Sequence, residues 1–403
     1  MASRLIICLD GTWNSTSNSR ERDDETLVLK PTNPLKLARG VLPLARDGTT
    51  RQITYYDSGV GAQGVYPGFS NRVLNFTDSK LGGLWGAGFE ANIEQAMTFL
   101  SNNYGEDDEI YVFGFSRGAA QARGLTQFLS WLGGIPAKRD AYYIPEFFGL
   151  YLKTQMRGNP KDITSTKGDV PATRIRPAGV RLLGVWDTVM SLGARFRATR
   201  TTSVDEKSFH VQPTPAACVR TALQALAIDE KRYDFRPEIW QGCSSDQVLE
   251  QRWFAGAHGN VGGSYGNDGM ANVALHWMLD RTKSLGLDFD EDFLAHYRPY
   301  VQDEIGETQT LMYIIAEALR FRLGKGVRAL DGHPATANLS IDRTVVQRMC
   351  SDPKTHKYLK TPYRPEEVLK LARSHEGGIE GFLRSFGLDP SRCQTLLTDA
   401  PSS

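Results

Sequence analysis

Ile110-Tyr111-Val112-Phe113-Gly114-Phe115-Ser116-Arg117-Gly118 is the stretch from which the rest of the chain is read. Four apolar residues come first, then a G-x-S-x-G run, then a segment with helical spacing. That order is strand, one sharp turn, helix. A serine at such a turn is held in a strained backbone conformation with its hydroxyl pushed out of the fold. Gly114 and Gly118 flank it because side chains there would collide where strand and helix close on each other. The helix that opens at Arg117 turns its N-terminal N–H groups toward the site. The bare pattern arises often by chance; the strand before it and the helix after it make it a nucleophile elbow.

Outward from the elbow, strand-like and helix-like segments alternate. Arg4 to Leu9, Gln52 to Tyr56, Val180 to Trp186 and Val248 to Ala255 read as further strands. A helix is expected from about Phe89 to Asn103, with Ile93, Ala96, Met97 and Leu100 on one face. The helix after the elbow carries Ala122, Leu125, Leu129 and Leu132, and Gly133-Gly134 and Pro136 stop it. Met270 to Leu285 reads as another helix. Continuous apolar strands separated by helices predict an α/β fold, a mostly parallel sheet covered on both faces. Its ligand is expected beyond the carboxyl ends of the strands. Residues 1–287 are expected to form this domain, with excursions near 58–88 and 137–177, and 288–403 a mainly helical accessory region packed on it. The aromatics of the excursions (Tyr66, Phe69, Phe76 and Trp85; Tyr142, Tyr143, Phe147, Phe148 and Tyr151) suit either an apolar cap over a pocket or ordinary packing. Leu311 to Leu323 looks like an amphipathic helix whose basic end, Arg320, Arg322, Lys325 and Arg328, reads as a solvated helix terminus, with contact to anionic lipid as the other reading.

A serine hydroxyl is a poor nucleophile until a base takes its proton, and the base needs an orienting acid. Asp187 ends the apolar strand Leu182-Leu183-Gly184-Val185-Trp186 and is the expected acid. His258 follows Trp253-Phe254-Ala255 inside a small-residue loop, Gly256 to Tyr265, and is the expected base. The other histidines do not end a strand in a glycine-rich loop. Activity is expected to rise as His258 loses its proton near about pH 6.5, unless Asp187 raises that value. The tetrahedral intermediate needs two donors. Arg117 N–H is expected to be one, and Gly11 or Thr12, in the turn after the first strand, the other.

The 403 residues suffice for a full core, and 47 basic against 46 acidic residues leave a net charge of +1. That balance points away from nucleic acid as a partner. The five cysteines are scattered without a C-x-x-C pair, which fits free thiols or a reducing compartment. No long apolar leader precedes the first strand and no apolar run approaches the roughly 20 residues of a membrane span. The expected location is therefore the cytoplasm, with export open only to a route that reads no classical signal. No cofactor or metal motif is present: Gly324-Lys325-Gly326 lacks the spacing of a phosphate loop, and no histidine-cysteine cluster has zinc spacing.

Four stretches taken together resemble a known family. They are Leu9-Asp10-Gly11-Thr12-Trp13-Asn14, Val112 to Ala119, Gly184-Val185-Trp186-Asp187-Thr188-Val189, and Trp253 to His258 with Val261-Gly262-Gly263. The chain is similar to the α/β-hydrolase-like domain family of uncharacterised proteins that includes the type VI secretion phospholipase effectors. Thr344 to Arg348 and Tyr363-Arg364-Pro365 look like its later tail. The resemblance implies Ser116 as nucleophile, Asp187 as acid and His258 as base, acting on esters or phospholipids. Two departures stand out: Gly259-Asn260 where the family often has Ser-Asp, and Asp342-Arg343 where it often has a histidine.

The reading that follows is a serine esterase, lipase or phospholipase working through an acyl-enzyme. Its substrate is expected to be a small-molecule or lipid ester, reached with peripheral membrane contact at most. The alternative is a non-catalytic binding or scaffolding protein that keeps the fold, motivated by Asn260 and the altered tail. Asp10-Gly11-Thr12 also resembles part of a haloacid-dehalogenase phosphatase motif, but that chemistry needs an aspartate where Cys8 stands.

Overall fold

Seven runs rich in apolar residues pair in one parallel sheet. They are β1 (Ser3–Leu9), β2 (Arg51–Asp57), β3 (Glu109–Phe115), β4 (Val180–Trp186), β5 (Val219–Ala227), β6 (Val248–Phe254) and β7 (Leu339–Ile341). The structure is a computed structural model that describes residues 2–11, 19–21, 27–59, 82–154, 174–190, 211–232, 235–306 and 328–397. The spatial order is β7-β6-β5-β4-β3-β1-β2, and every pairing is parallel. Parallel strands need crossovers, and here helices supply them on both faces.

The apolar runs are continuous because each strand is buried on both sides. Leu5, Ile7 and Leu9 of β1, with Ile110 and Val112 of β3, face one cluster. It is filled by α2 (Gly82–Asn103), α3 (Arg117–Leu132) and α4 (Ile144–Lys153). Ile6 and Cys8, with Tyr111, Phe113 and Phe115, face the other. That side is covered by α1 (Asn33–Gly40), α5 (His258–Gly262) and α6 (Gly269–Ser284). Gly133 ends α3 in the left-handed conformation (φ 75°), which a residue without a Cβ adopts at little cost.

A third cluster builds on the outer edge of the sheet. Leu226 and Trp253 meet Val345, Val346 and Met349 of α7 (Arg343–Cys350), together with residues of α8 (Glu366–Ser374) and α9 (Gly378–Ser385). The C-terminal region is thus mainly helical, and it also contributes β7 to the sheet.

Two expectations change, and three aromatics of the second excursion take the packing reading of the two left open. The helix read from Phe89 starts at Gly82, so residues 82–88 of the first excursion belong to α2, while 60–81 lie outside the described residues. In the second excursion Phe147, Phe148 and Tyr151 are buried core side chains packed about Phe128, with ring centroids 5.0 Å (Phe148) and 5.4 Å (Tyr151) away; residues 155–173 lie outside the described residues. Cys350 and Cys393 form a disulfide, which corrects the free-thiol reading for this pair. Their wide separation in sequence hid a contact made by the folding of α7 toward the C-terminus. The helix expected over Leu311 to Leu323 lies outside the described residues, as do Arg320, Arg322 and Lys325.

Candidate active site

Ser116 stands between β3 and α3 with φ 59° and ψ −123°. A side-chain-bearing residue in such a region costs about 1–3 kcal/mol and persists only where its surroundings over-determine it. Here Ser116 N–H donates to Trp186 O (3.1 Å), and Val189 N–H donates to Ser116 O (3.4 Å). The flanking glycines are required by close approach. A Cβ on Gly118 would lie 2.2 Å from Leu9 O, and one on Gly114 2.4 Å from Gly118 O. The end of β1 is thereby pressed against the start of α3.

Asp187 follows β4 and also has a positive φ, 43°. Its carboxylate is fully buried and saturated with donors. Oδ1 accepts from Ala227 N–H (3.0 Å) and Arg328 Nη1 (2.5 Å); Oδ2 accepts from Arg328 Nη2 (2.9 Å) and His258 Nδ1 (2.6 Å). Burial alone would raise its pKa. The Arg328 cation and the bond from His258 outweigh that and hold the carboxyl well below the usual carboxylate range.

His258 is the first residue of α5. Its ring lies between Phe115 (centroids 4.6 Å apart) and Phe235 (5.0 Å, edge-on). Asp187 accepts only, so Nδ1 carries the proton and Nε2 presents a lone pair. Nε2 is buried and has no hydrogen-bond partner among the described residues. A buried acceptor left open in this way calls for an explanation, and an open lone pair is what a general base requires. Burial pushes the His258 pKa down and outweighs the opposing pull of Asp187, so the net direction is downward. The expectation of a value near 6.5 or above is corrected in that direction. His258 N–H donates to Glu230 Oε2 (3.3 Å); Glu230 is itself buried and gripped by Arg232 through contacts of 2.9 and 2.8 Å.

The structure therefore brings Asp187 and His258 into direct contact and sets Ser116 in the same cluster of strand ends. Ser116 is tied through its backbone to the residue before Asp187, and Phe115, the residue before Ser116, packs on the His258 ring. Of the expected oxyanion donors, Arg117 opens α3, while Gly11 N–H donates to Asp10 Oδ1 (2.7 Å). Thr12 lies outside the described residues. Asp10 is buried, and its Oδ2 accepts from Tyr56 Oη (2.7 Å) and from the Thr32 hydroxyl, which fixes the chain after β1. Asn260 plays a structural part, since its Oδ1 accepts from Ala257 N–H (3.1 Å) and Gly306 N–H (3.0 Å).

Arg328, Glu230 and Phe235 are site residues that the sequence does not single out. Sequence alone groups Arg328 with a solvated helix end; it is buried, with 1% of its side chain exposed. A cation buried against a distant carboxylate is written no differently from one in solvent. Phe115, in contrast, lies within the elbow itself, where its neighbours already point to the site.

Residues 3–281 match the family described as "T6SS, Phospholipase effector Tle1-like, catalytic domain". An uncharacterised protein of Saccharomyces cerevisiae is 27% identical over 198 residues, covering 47% of this chain and 27% of that protein. The alignment thus spans little more than a quarter of that relative's length. Among solved structures, an uncharacterised protein from Pseudomonas aeruginosa is similar with a TM-score of 0.43 and 14% identity, covering 100% of this chain and 62% of that one. The Tle1 effector bound to the VgrG spike of the type 6 secretion system is similar with a TM-score of 0.41 and 16% identity, covering 84% and 82%.

Proposed function

The chain belongs to the family of T6SS Tle1-like phospholipase effector catalytic domains, and from that premise we propose that it is a serine hydrolase cleaving carboxylic esters of lipids or phospholipids through Ser116, His258 and Asp187. Ser116 Oγ attacks the ester carbonyl carbon while His258 Nε2 takes the hydroxyl proton. Asp187 holds the Nδ1–H tautomer and stabilises the imidazolium that forms. Negative charge gathers on the former carbonyl oxygen, where Arg117 N–H and a second donor from the turn after β1 receive it; Thr12 is the candidate for that donor, since the Gly11 N–H expected there is already given to Asp10 Oδ1 (2.7 Å). The intermediate collapses, the carbon–oxygen bond to the alcohol breaks, and that alcohol takes the proton from His258. Water, deprotonated by His258, then attacks the acyl-enzyme; the acid departs and Ser116 regains its proton.

The observation that carries this reading is a histidine whose Nδ1 is bonded to a buried carboxylate and whose Nε2 has no hydrogen-bond partner among the described residues, with a strained Ser116 tied by its backbone to the residue before that carboxylate. The phospholipid preference rests on the family alone. In the same reading residues 1–287 are the hydrolase unit and 288–403 an accessory region that completes its sheet edge. The test is a set of p-nitrophenyl esters and phospholipid vesicles assayed with wild type and Ser116→Ala, alongside fluorophosphonate labelling. Loss of about 10³-fold or more in kcat, with loss of labelling, is expected for the variant. Full activity in folded Ser116→Ala sinks the assignment.

A further inference from the structure

We propose that Arg328 is a positioning residue of this site: its guanidinium grips both oxygens of Asp187 and shares their charge, so that a residue beyond the matched catalytic domain completes the catalytic apparatus. The inference rests on the triad reading above. Arg328 Nη1 donates to Asp187 Oδ1 (2.5 Å) and Ala227 O (2.7 Å), and Nη2 to Asp187 Oδ2 (2.9 Å) and Phe235 O (2.6 Å). Each Nη thus divides its two hydrogens between the carboxylate and a backbone carbonyl. Such a planar two-pronged grip fixes the plane of the carboxylate, not only its charge. The carbonyls at the other ends are those of Ala227, the last residue of β5, and Phe235, whose ring packs edge-on to His258 at 5.0 Å. One side chain therefore ties together the acid, a strand end and a wall of the base. Arg328 lies outside residues 3–281, the stretch matched to the catalytic domain.

The arrangement has a chemical consequence. A free aspartate beside an imidazole favours the imidazolium; one whose charge is shared with a guanidinium does so less. The charged and titratable groups about His258 are Asp187, Arg328, Glu230 and Arg232, with Tyr265 packed against Gly259. Glu230 and Arg232 neutralise each other through their own ion pair (2.8 Å). Burial is the main cause that lowers the proton affinity of His258, and Arg328 is the cation that touches both oxygens of Asp187 and so limits the opposing pull of that carboxylate.

The experiment uses the full chain with Arg328→Met and Arg328→Lys, measuring kcat and kcat/KM for a p-nitrophenyl ester across pH 5–8, with circular dichroism to establish folding. In Arg328→Met the acid limb should move up by about one pH unit and kcat should fall by about 10- to 100-fold. In Arg328→Lys the limb should stay within about 0.3 unit while kcat still falls by about 10-fold, because an ammonium cannot make two parallel bonds. A folded Arg328→Met with an unmoved limb overturns the proposal. So does Arg328→Lys at full kcat, which decides the matter alone if the methionine variant does not fold. Should Ser116→Ala retain activity, the hydrolase reading falls separately. The grip is then judged by the ¹⁵N NMR titration of His258, which needs no turnover: the same upward shift supports it and no shift refutes it.

Discussion

Phe115 fills a variable position of the G-x-S-x-G run, and its ring supports His258 from below. Gly262 makes room for that ring: a Cβ there would sit 1.9 Å from Phe115 Cε2. Gly262→Ala must therefore displace the surface on which the base rests. It should cost about 1–3 kcal/mol in urea unfolding and lower kcat about 10- to 100-fold. Gly149, an exposed α4 position where a methyl would meet nothing within 4 Å, is the control. Gly149→Ala should leave kcat alone and add about 0.5–1 kcal/mol. His258 makes a second prediction. Its folded-state pKa lies below the unfolded value of about 6.5, so the unfolded chain binds the proton more readily as pH falls below that value. Stability contributed by the neutral ring is present above about pH 6.5 and is lost as pH drops toward the folded pKa. The acid limb of kcat/KM should likewise fall below about 6.5, and His258→Gln should flatten the acid-side loss of stability in denaturation curves. Ser116, Asp187 and His258 could be singled out from sequence because each sits at a strand end beside residues of distinctive size. Nothing around Arg328 announced burial, since its partners come from β4, β5 and a loop far away in the chain.

At the scale of elements, the strands that could be recognised were those rich in β-branched and aromatic residues, such as β3 and β4. β5 escaped notice. Its sequence, Val-Arg-Thr-Ala-Leu-Gln-Ala-Leu-Ala, is weighted toward helix formers. Burial between two parallel neighbours overrides that preference. β7 is three residues long and pairs over only those three, too short for any periodicity to show. The inside of the sheet between β5 and β6 is cross-linked by a polar pair: Gln224 Nε2 donates to Gln251 Oε1 (2.9 Å), which stands opposite it in the register. Gln224 Oε1 accepts from Thr188 Oγ1 (2.5 Å), the residue after Asp187. Both glutamines are fully buried. Gln224→Leu would leave the Thr188 hydroxyl without this acceptor and take from Gln251 Oε1 one of its donors, Trp240 N–H (3.0 Å) remaining, a loss of about 1–3 kcal/mol. Chemical denaturation should register it as a lower midpoint with an unchanged slope.

For the molecule as a whole, the C-terminal region is sewn to itself as well as packed on the sheet. The Cys350–Cys393 bridge closes a loop with a sequence separation of 43 and sits beside the cluster that holds α7, α8 and α9 together. By chain entropy such a loop is worth roughly 3–4 kcal/mol. Reduction, or Cys393→Ser, should therefore lower the thermal midpoint, and differential scanning calorimetry with and without reductant measures it. Equal midpoints would show that packing alone suffices. The overall α/β plan could be inferred early because alternating strands and helices leave few other architectures open. The attachment of the last region could not, since it depends on contacts that no local pattern encodes. The distance between Asp187 and Arg328, 141 residues along the chain, has a consequence in time. At ribosomal speeds of about 5–20 residues per second, the aspartate emerges on the order of ten seconds before its guanidinium. A nascent chain thus carries Ser116 and Asp187 well before Arg328 is made and its ion pair with Asp187 can close.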